Sequence, residues 1–366
     1  MTHPPDVKQS LSIIGASGFV GLRATELLSE DFAVRPIVRA ASSLAVLARQ
    51  ELDWRVAPFL ESEGLADAIR GTEVCVHAAI GDASQIVRMA RATYEACALA
   101  GVKRLVWLSS ASVHGQNAEP GTNEETPLKD GQLLVYNNAK VRAEHALETL
   151  GRDGRVEVVR LRPSVVFGPR SRWISEAAAA IRGGTACWLD GGRGVCNTIY
   201  IDNLVEAIRL AATAPSASAA GQAFLVGDAE EVSWREFLLP IAQHLGAGPD
   251  AFEELPVPEV PAEKESLLAA ITLTPAYAAV GRGVPDLAKR LVKGAVRAVP
   301  TPPPAPSSWR LRDLPVAEIS SEMALLQQCR WRLPSEKAGR LLGYRPPVPF
   351  NEGMVRSLAW LDFIGA

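Results

Sequence analysis

Through its first 170 residues the chain alternates short apolar runs with longer stretches of helical spacing. Residues 10–14, 33–38, 73–78, 103–108 and 157–161 read as strands. The second is weakened by Pro36, which has no N–H to give to a ladder. Residues 20–28, 65–70, 83–100 and 137–150 read as helices between them, and Gly101 is placed to end the long one. Such alternation predicts an α/β fold: a doubly wound parallel sheet, covered by helices on both faces and joined by right-handed crossovers. Beyond Gly168-Pro169 the rhythm changes. Helical segments at 174–182, 203–212 and 234–245 are separated by glycine-rich pieces, which predicts a smaller C-terminal lobe. The expected division is a sheet domain over 10–170, with 197–212 returning to it, and a second lobe over 171–366. That lobe carries a proline-rich and basic insertion at about 250–320.

Charge and cysteine content narrow the function classes. Lys and Arg total 38 against 41 Asp and Glu, a net charge of -3, so no nucleic-acid partner is expected. The five cysteines are scattered, with no CxxC and no Cys/His cluster, so neither a disulfide framework nor a metal site is signalled. No apolar run reaches the length of a membrane helix. The polar start, Met1 to Gln9, lacks the apolar stretch of a signal peptide, and the expected location is cytoplasmic.

The chemistry concentrates at three places. Gly15-Ala16-Ser17-Gly18-Phe19-Val20-Gly21 follows the first strand and opens a helix. Glycines there let backbone approach a pyrophosphate, which the helix N-terminus favours. Gly15, Ser17, Gly18, Phe19, Val20 and Gly21 are therefore candidate dinucleotide contacts. The second strand ends Ile37-Val38-Arg39-Ala40-Ala41-Ser42-Ser43, with no acid to take a ribose 2′-hydroxyl. Arg39 is placed to meet a 2′-phosphate, which favours NADP over NAD. Tyr136-Asn137-Asn138-Ala139-Lys140 puts a phenol and an amine one helical turn apart. The ammonium is expected to acidify the phenol, so that Tyr136 exchanges a proton with an alcohol or ketone while hydride moves to or from nicotinamide. Ser109-Ser110, with Ser112 beyond, ends the strand at 103–108, where a hydroxyl can hold a substrate oxygen.

Taken in order, the glycine turn, Ser109-Ser110, Tyr136-x-x-x-Lys140, Arg162-Pro163-Ser164-Val165-Val166-Phe167-Gly168-Pro169 and Tyr200-Ile201-Asp202-Asn203 resemble the extended short-chain dehydrogenases/reductases, the NAD-dependent epimerase/dehydratase family. Ser335-Glu336-Lys337-Ala338, Leu342-Gly343-Tyr344-Arg345-Pro346 and Glu352-Gly353 to Trp360 match it as well. The resemblance covers roughly 10–248 and 330–363 and implies a Rossmann-type sheet with a substrate lobe. It implies Tyr136 as acid/base, Lys140 as its ribose-binding partner and Ser110 as the substrate-orienting hydroxyl. By the same resemblance His77, Ala78 and Ala79 lie beside the nicotinamide ribose, and Arg162-Pro163-Ser164 lies near the carboxamide, with Pro163 a cofactor contact.

Departures from the family pattern bear on the reaction. Ala111-Ser112 stand where sugar-nucleotide dehydratases carry an Asp-Glu pair, and Val165 stands where many nucleotide-sugar epimerases carry Asn. The motif forms are similar to the 3β-hydroxysteroid dehydrogenase-like and dihydroflavonol reductase-like branches. The leading expectation is an NAD(P)-dependent oxidoreductase acting on a secondary alcohol or ketone of a small-molecule substrate. The alternative is an epimerase of nucleotide- or lipid-linked sugars with retained NAD. The resemblance also implies a homodimer through the helices at 83–100 and 137–150. Residues 286–299 place Lys289, Lys293 and Arg297 on one stripe and Leu287, Leu291, Ala295 and Val299 on another. This pattern fits a helix packed on the substrate lobe; its alternative is peripheral contact with an anionic membrane. Trp173, Trp188 and Trp234 are expected as core filling, and Asp202 and Asn203 as caps of the following helix.

Overall fold

The computed structural model describes residues 8–48, 50–258 and 317–365; the basic stretch at 286–299 and most of the proline-rich insertion lie outside them. In chain order the elements are β1 (Ser10–Ile14), α1 (Phe19–Leu28), β2 (Ala33–Val38), β3 (Arg55–Val56), α2 (Ser62–Ile69), β4 (Val74–His77), α3 (Ala83–Ala100), β5 (Arg104–Leu108), α4 (Val135–Gly151), β6 (Glu157–Pro163) and β7 (Val165–Phe167). There follow α5 (Arg172–Gly183), β8 (Cys187–Leu189), β9 (Thr198–Tyr200), α6 (Ile201–Thr213), α7 (Ser216–Ala219), β10 (Ala223–Val226), α8 (Trp234–His244) and β11 (Glu253–Leu255). Past the insertion come α9 (Ser321–Gln327), α10 (Glu336–Leu342) and α11 (Phe350–Ile364).

Seven strands form one parallel sheet in the order β10-β6-β5-β4-β1-β2-β3. The order reverses beside β1, so β1 and β4 splay their carboxyl ends apart and leave a crevice there. Pro36 is tolerated because β3 pairs only with Ile37 and Val38, so no β3 residue is opposite it. Alternation along the strands sorts side chains to two buried layers. Leu11, Ile13, Val76 and Val106 face α1 and α6. Cys75, Leu105 and Trp107 face α2, α3 and α4. A third cluster, with Phe167, Trp188, Trp234, Phe237 and Phe350, fills the region between α5, α8 and α11.

Sequence expectation and structure agree along most of the first 170 residues, including Gly101, which ends α3 in the left-handed conformation at φ 74. The differences have local causes. β10, β7 and β9 are strands of three or four residues, too short to show a period. The N-cap of α6 is Tyr200, which makes no side-chain capping bond. Asp202 instead accepts from Arg23 Nε and Nη2 at 2.6 and 2.8 Å, and Asn203 donates to Asp228 and to the Val348 carbonyl. Both side chains tie distant segments together rather than capping their own helix.

Candidate active site

The crevice opens into a cavity of about 620 Å³. The amino end of α1 contributes Phe19 and Val20, the loop after β4 Ala78 and Ala79, and the end of β5 Ser110. Tyr136 and Lys140 enter from α4, and Pro163 from β6. Eight of the residues singled out in the sequence therefore share one wall, although they are spread over about 145 positions.

The glycine turn leads into Phe19 and Val20, the residues by which α1 lines the cavity. Gly15 has φ +87, and a Cβ there would sit 2.7 Å from the backbone of Ala79. A Cβ on Gly21 would fall 2.1 Å from the Gly15 carbonyl oxygen. The turn is held by Gly15 and Ala16 N–H donating to Ile37 O and by Gly18 N–H donating to Gly15 O. Gly18 caps α1 with no side chain over the helix end. The first-turn amides thus face open space past Ser17 and Gly18, a cradle whose shape and polarity suit a dinucleotide pyrophosphate.

On α4, Tyr136, Lys140 and Glu144 form an i, i+4, i+8 stripe. Lys140 is buried. Its Nζ donates to Leu108 O at 2.8 Å and lies 5.4 Å from the Trp107 ring centroid. Burial lowers its pKa to about 8, against a raising influence of Glu144. Tyr136 departs from expectation. Burial pushes its phenol up to about 12; the Ser110 hydroxyl and the Arg172 guanidinium pull it down, and Glu322 pushes it up. The lysine lies 5.7 Å from the phenol ring centroid and is turned to the Leu108 carbonyl, and burial is the largest influence on the phenol. The Ser110 hydroxyl in turn accepts from Ser112 Oγ at 2.9 Å.

Glu144 was not picked out in the sequence. It is fully buried and accepts from Ser109 Oγ at 2.5 Å and from Arg162 Nε and Nη2 at 2.9 and 2.7 Å. The carboxylate thereby joins α4 to the ends of β5 and β6. The four-residue spacing from Lys140 was the available signal. Arg162, expected near the carboxamide, is turned into this buried pair, and its Nη1 is 3.1 Å from His114 Nε2; only Pro163 and Ser164 reach the cavity.

The His77 side chain points away from the cavity. Strand alternation puts it on the side of Cys75, toward α3, where it stacks on Trp107 at 4.3 Å and its Nδ1 meets Thr93 Oγ1 at 2.9 Å. Burial, reinforced by Lys140, lowers its pKa to about 3. Its side chain belongs to the core, and only the following Ala78 and Ala79 line the cavity. Arg39 is exposed just past β2, its guanidinium 5.9 Å from the Phe59 ring centroid. Trp188 and Trp234 are buried in the core as expected, whereas Trp173 lines the cavity.

Sequence comparison accords with this geometry. Residues 11–227, more than half of the chain, match the NAD dependent epimerase/dehydratase family. The chain belongs to that family. Among its relatives, 3β-hydroxysteroid-dehydrogenase/decarboxylase isoform 1 of Arabidopsis thaliana is 29% identical over 309 residues, 79% of this chain and 62% of the plant protein. The chain thus spans under two thirds of that relative's length. UDP-glucose 4-epimerase of Vibrio cholerae is 26% identical over 256 residues, 64% of this chain and 75% of the bacterial protein. The fold is shared with the Thermotoga maritima UDP-glucose 4-epimerase structure, at a TM-score of 0.66 and 16% identity, covering 98% of this chain and 100% of that one. NAD(P) is the cofactor of this family, and among the described residues no helix is long and apolar enough to cross a membrane.

Proposed function

We propose that the protein is an oxidoreductase that interconverts a secondary alcohol and its ketone on a substrate with a largely apolar body. The observation carrying this reading is the joint presence of Ser110, Tyr136 and Lys140 on one cavity whose other walls are mostly apolar, Phe19, Ile80, Leu134, Val166 and Leu326 among them. When bound, the nicotinamide supplies the hydride acceptor or donor. Gly15, Ser17, Gly18 and Gly21 would hold the pyrophosphate on the end of α1, and Phe19, Val20, Ala78, Ala79 and Pro163 would shape the slot beside it. At neutral pH a phenol near 12 is protonated, so Tyr136 is ready to give its proton to a ketone oxygen during reduction. Ser110 holds that oxygen through its hydroxyl. Lys140 would hold the ribose hydroxyls in place of the Leu108 carbonyl, and its charge beside the phenol would favour the return of the proton in the oxidative direction.

The preferred cofactor on this reading is NADP. Arg39 is exposed at the end of β2 and no carboxylate stands between it and Ser43. Exchanging it in Arg39→Asp is expected to raise the Kd for NADPH about ten-fold or more and to leave NADH binding no weaker, since a guanidinium contact to phosphate is charge-assisted. Equal loss for both cofactors refutes the assignment.

Tyr136→Phe tests the chemistry. It is expected to lower kcat by about 10²–10⁴ while NADPH still binds. Stoichiometric consumption of NADPH with a ketone substrate supports the oxidoreductase. The similarity to UDP-glucose 4-epimerase gives the competing reading: tightly retained NAD, no net redox change and inversion of a sugar nucleotide.

A further inference from the structure

The Ser110 hydroxyl is held from behind by one neighbour. Ser112 gives it two hydrogen bonds, from its N–H at 3.2 Å and from its Oγ at 2.9 Å. A hydroxyl has two lone pairs and one proton. With both lone pairs taken, Ser110 has only its proton left to offer. Ser112 is buried, and its own carbonyl accepts from Gln132 Nε2 at 3.1 Å. Gln132 Oε1 accepts from Asn137 Nδ2 at 2.7 Å, and Asn137 follows Tyr136 in the first turn of α4. An unbroken chain of hydrogen bonds therefore joins the Ser110 hydroxyl to the residue beside Tyr136.

Gln132 anchors the middle of this chain. It is buried, and its Nε2 also donates to the Lys129 carbonyl at 2.6 Å. Its N–H donates to Asn138 Oδ1 and its carbonyl accepts from Asn138 Nδ2, both at 2.8 Å. The N-cap of α4 is Leu134, which supplies no side-chain bond to the helix end. The three amide side chains thus fix where α4 begins, and with it the place of Tyr136. Ser110 and Tyr136 line the same cavity. Burial raises the Tyr136 phenol and the Ser110 hydroxyl pulls it down, as a donor to the phenol oxygen does.

We propose that Ser112 is a positioning residue for the reaction: it commits the Ser110 hydroxyl to donation, and Gln132 with Asn137 keeps that donor in register with Tyr136. This rests on the oxidoreductase reading above, in which both hydroxyls meet the oxygen of the substrate carbonyl, and names what orients them. Ser110 keeps its own proton throughout; the proton transferred is that of Tyr136. Two donors then converge on one oxygen as negative charge develops there, an arrangement set before the substrate arrives. A Ser110 free to rotate would present a lone pair to that oxygen part of the time, and a lone pair repels it.

The test uses the full-length protein carrying tyrosine labelled with carbon-13 at Cζ. The chain has five tyrosines, so the Tyr136 signal is assigned by its loss in Tyr136→Phe. Ser112→Ala frees one Ser110 lone pair to accept from the phenol, and the Tyr136 signal is expected to move downfield, toward that of an ionised phenol. Ser112→Thr, which keeps the hydroxyl, should leave the signal in place. NADPH oxidation with 2-octanone, 2-undecanone and acetophenone is followed in parallel. Ser112→Ala is expected to lower kcat about three- to ten-fold, the worth of one hydrogen bond, with KM moved less than about two-fold. Ser112→Thr should restore kcat, and Gln132→Leu should lower it as Ser112→Ala does; Ser112→Ala decides alone if Gln132→Leu does not fold. A Tyr136 signal unmoved by Ser112→Ala, a kcat that Ser112→Ala leaves unchanged, or a loss that Ser112→Thr does not restore overturns the positioning role. A parental kcat in folded Gln132→Leu overturns the link to α4. Inversion of UDP-glucose on retained NAD, in place of ketone reduction, overturns the parent reading, and the Tyr136 signal then decides by itself whether Ser112 sets the direction of Ser110.

Discussion

Gly21→Ala isolates the contribution of the glycine turn, because the new atom would collide with backbone and nothing else. The added Cβ would lie 2.1 Å from Gly15 O, 2.7 Å from Gly15 C and 2.9 Å from Ala16 Cα. Relief needs a shift of about 1 Å, judged against ordinary van der Waals separation. Gly15 cannot provide it. Its N–H is bonded to Ile37 O, its carbonyl accepts from Gly18 N–H, and its other side is already against Ala79. The first turn of α1 must therefore tilt outward. Overpacking costs about 1–3 kcal/mol, and the better helix propensity of alanine returns about 1 kcal/mol. The net loss of stability is about 0–2 kcal/mol, a few degrees in Tm for a chain of this size. The loss in cofactor binding is larger, because the tilt carries off amides that donate to an anion. One charge-assisted bond is worth about 1.5–3 kcal/mol, or roughly 10–150-fold in Kd. Calorimetric titration with NADPH, beside a thermal melt, measures both. Gly18→Ala is the control, since its Cβ would meet Gly15 O at 3.3 Å and needs only a few tenths of an ångström. A Gly21→Ala protein that binds NADPH as tightly as the parent refutes the account of a backbone cradle.

Two further outcomes follow from buried charge. Glu144→Gln leaves the Arg162 guanidinium buried without its counter-ion, and the cost is expected near 3–5 kcal/mol in urea unfolding; a loss under about 1 kcal/mol shows that the pair does not hold α4 to β6. His77 and His114 have pKa values lowered by burial to about 3 and about 4. Their folded values lie below the unfolded value of about 6.5, so the unfolded chain binds more protons as pH falls beneath it. Stability should be level above pH 6.5 on this account and decline by up to about 1.4 kcal/mol per pH unit for each histidine as pH drops toward 5. Urea titrations at several pH values that show no slope across that window refute it.

Much of the sheet domain was legible because its signals are local. The strand at 10–14, the glycine turn and the Tyr136–Lys140 spacing each occupy a few consecutive residues, and each occupies its expected place in the fold. What escaped depends on facing direction or on distant partners. His77 sits at the right strand end, yet period-two alternation turns it to Trp107 and away from the crevice. Arg162 follows the same logic, drawn under the site by Glu144. The acidification of Tyr136 by Lys140 required a distance and a competing acceptor, Leu108 O, that spacing on a helix does not reveal. Arg172 and Glu322 meet across an interval of 150 residues, and no pattern in either segment announces the other. Arg23 and Asp202 are likewise joined across 179 positions, which is why a capping role looked natural for the aspartate.

The place of α10 governs how the molecule is made. Ala338, Leu342 and Tyr344 are buried where α10 packs on β10, α6 and α7, and the Tyr344 hydroxyl donates to Gly227 O at 3.0 Å. The edge strand β10, ending at Val226, thus awaits a cover that begins at Glu336, about 110 residues later in the chain. At roughly 5–20 residues per second this leaves that apolar surface uncovered for about 5–20 seconds during synthesis. Emergence of α10 completes that part of the core, and nascent chains stalled before residue 336 are the form in which holding chaperones have something to grip.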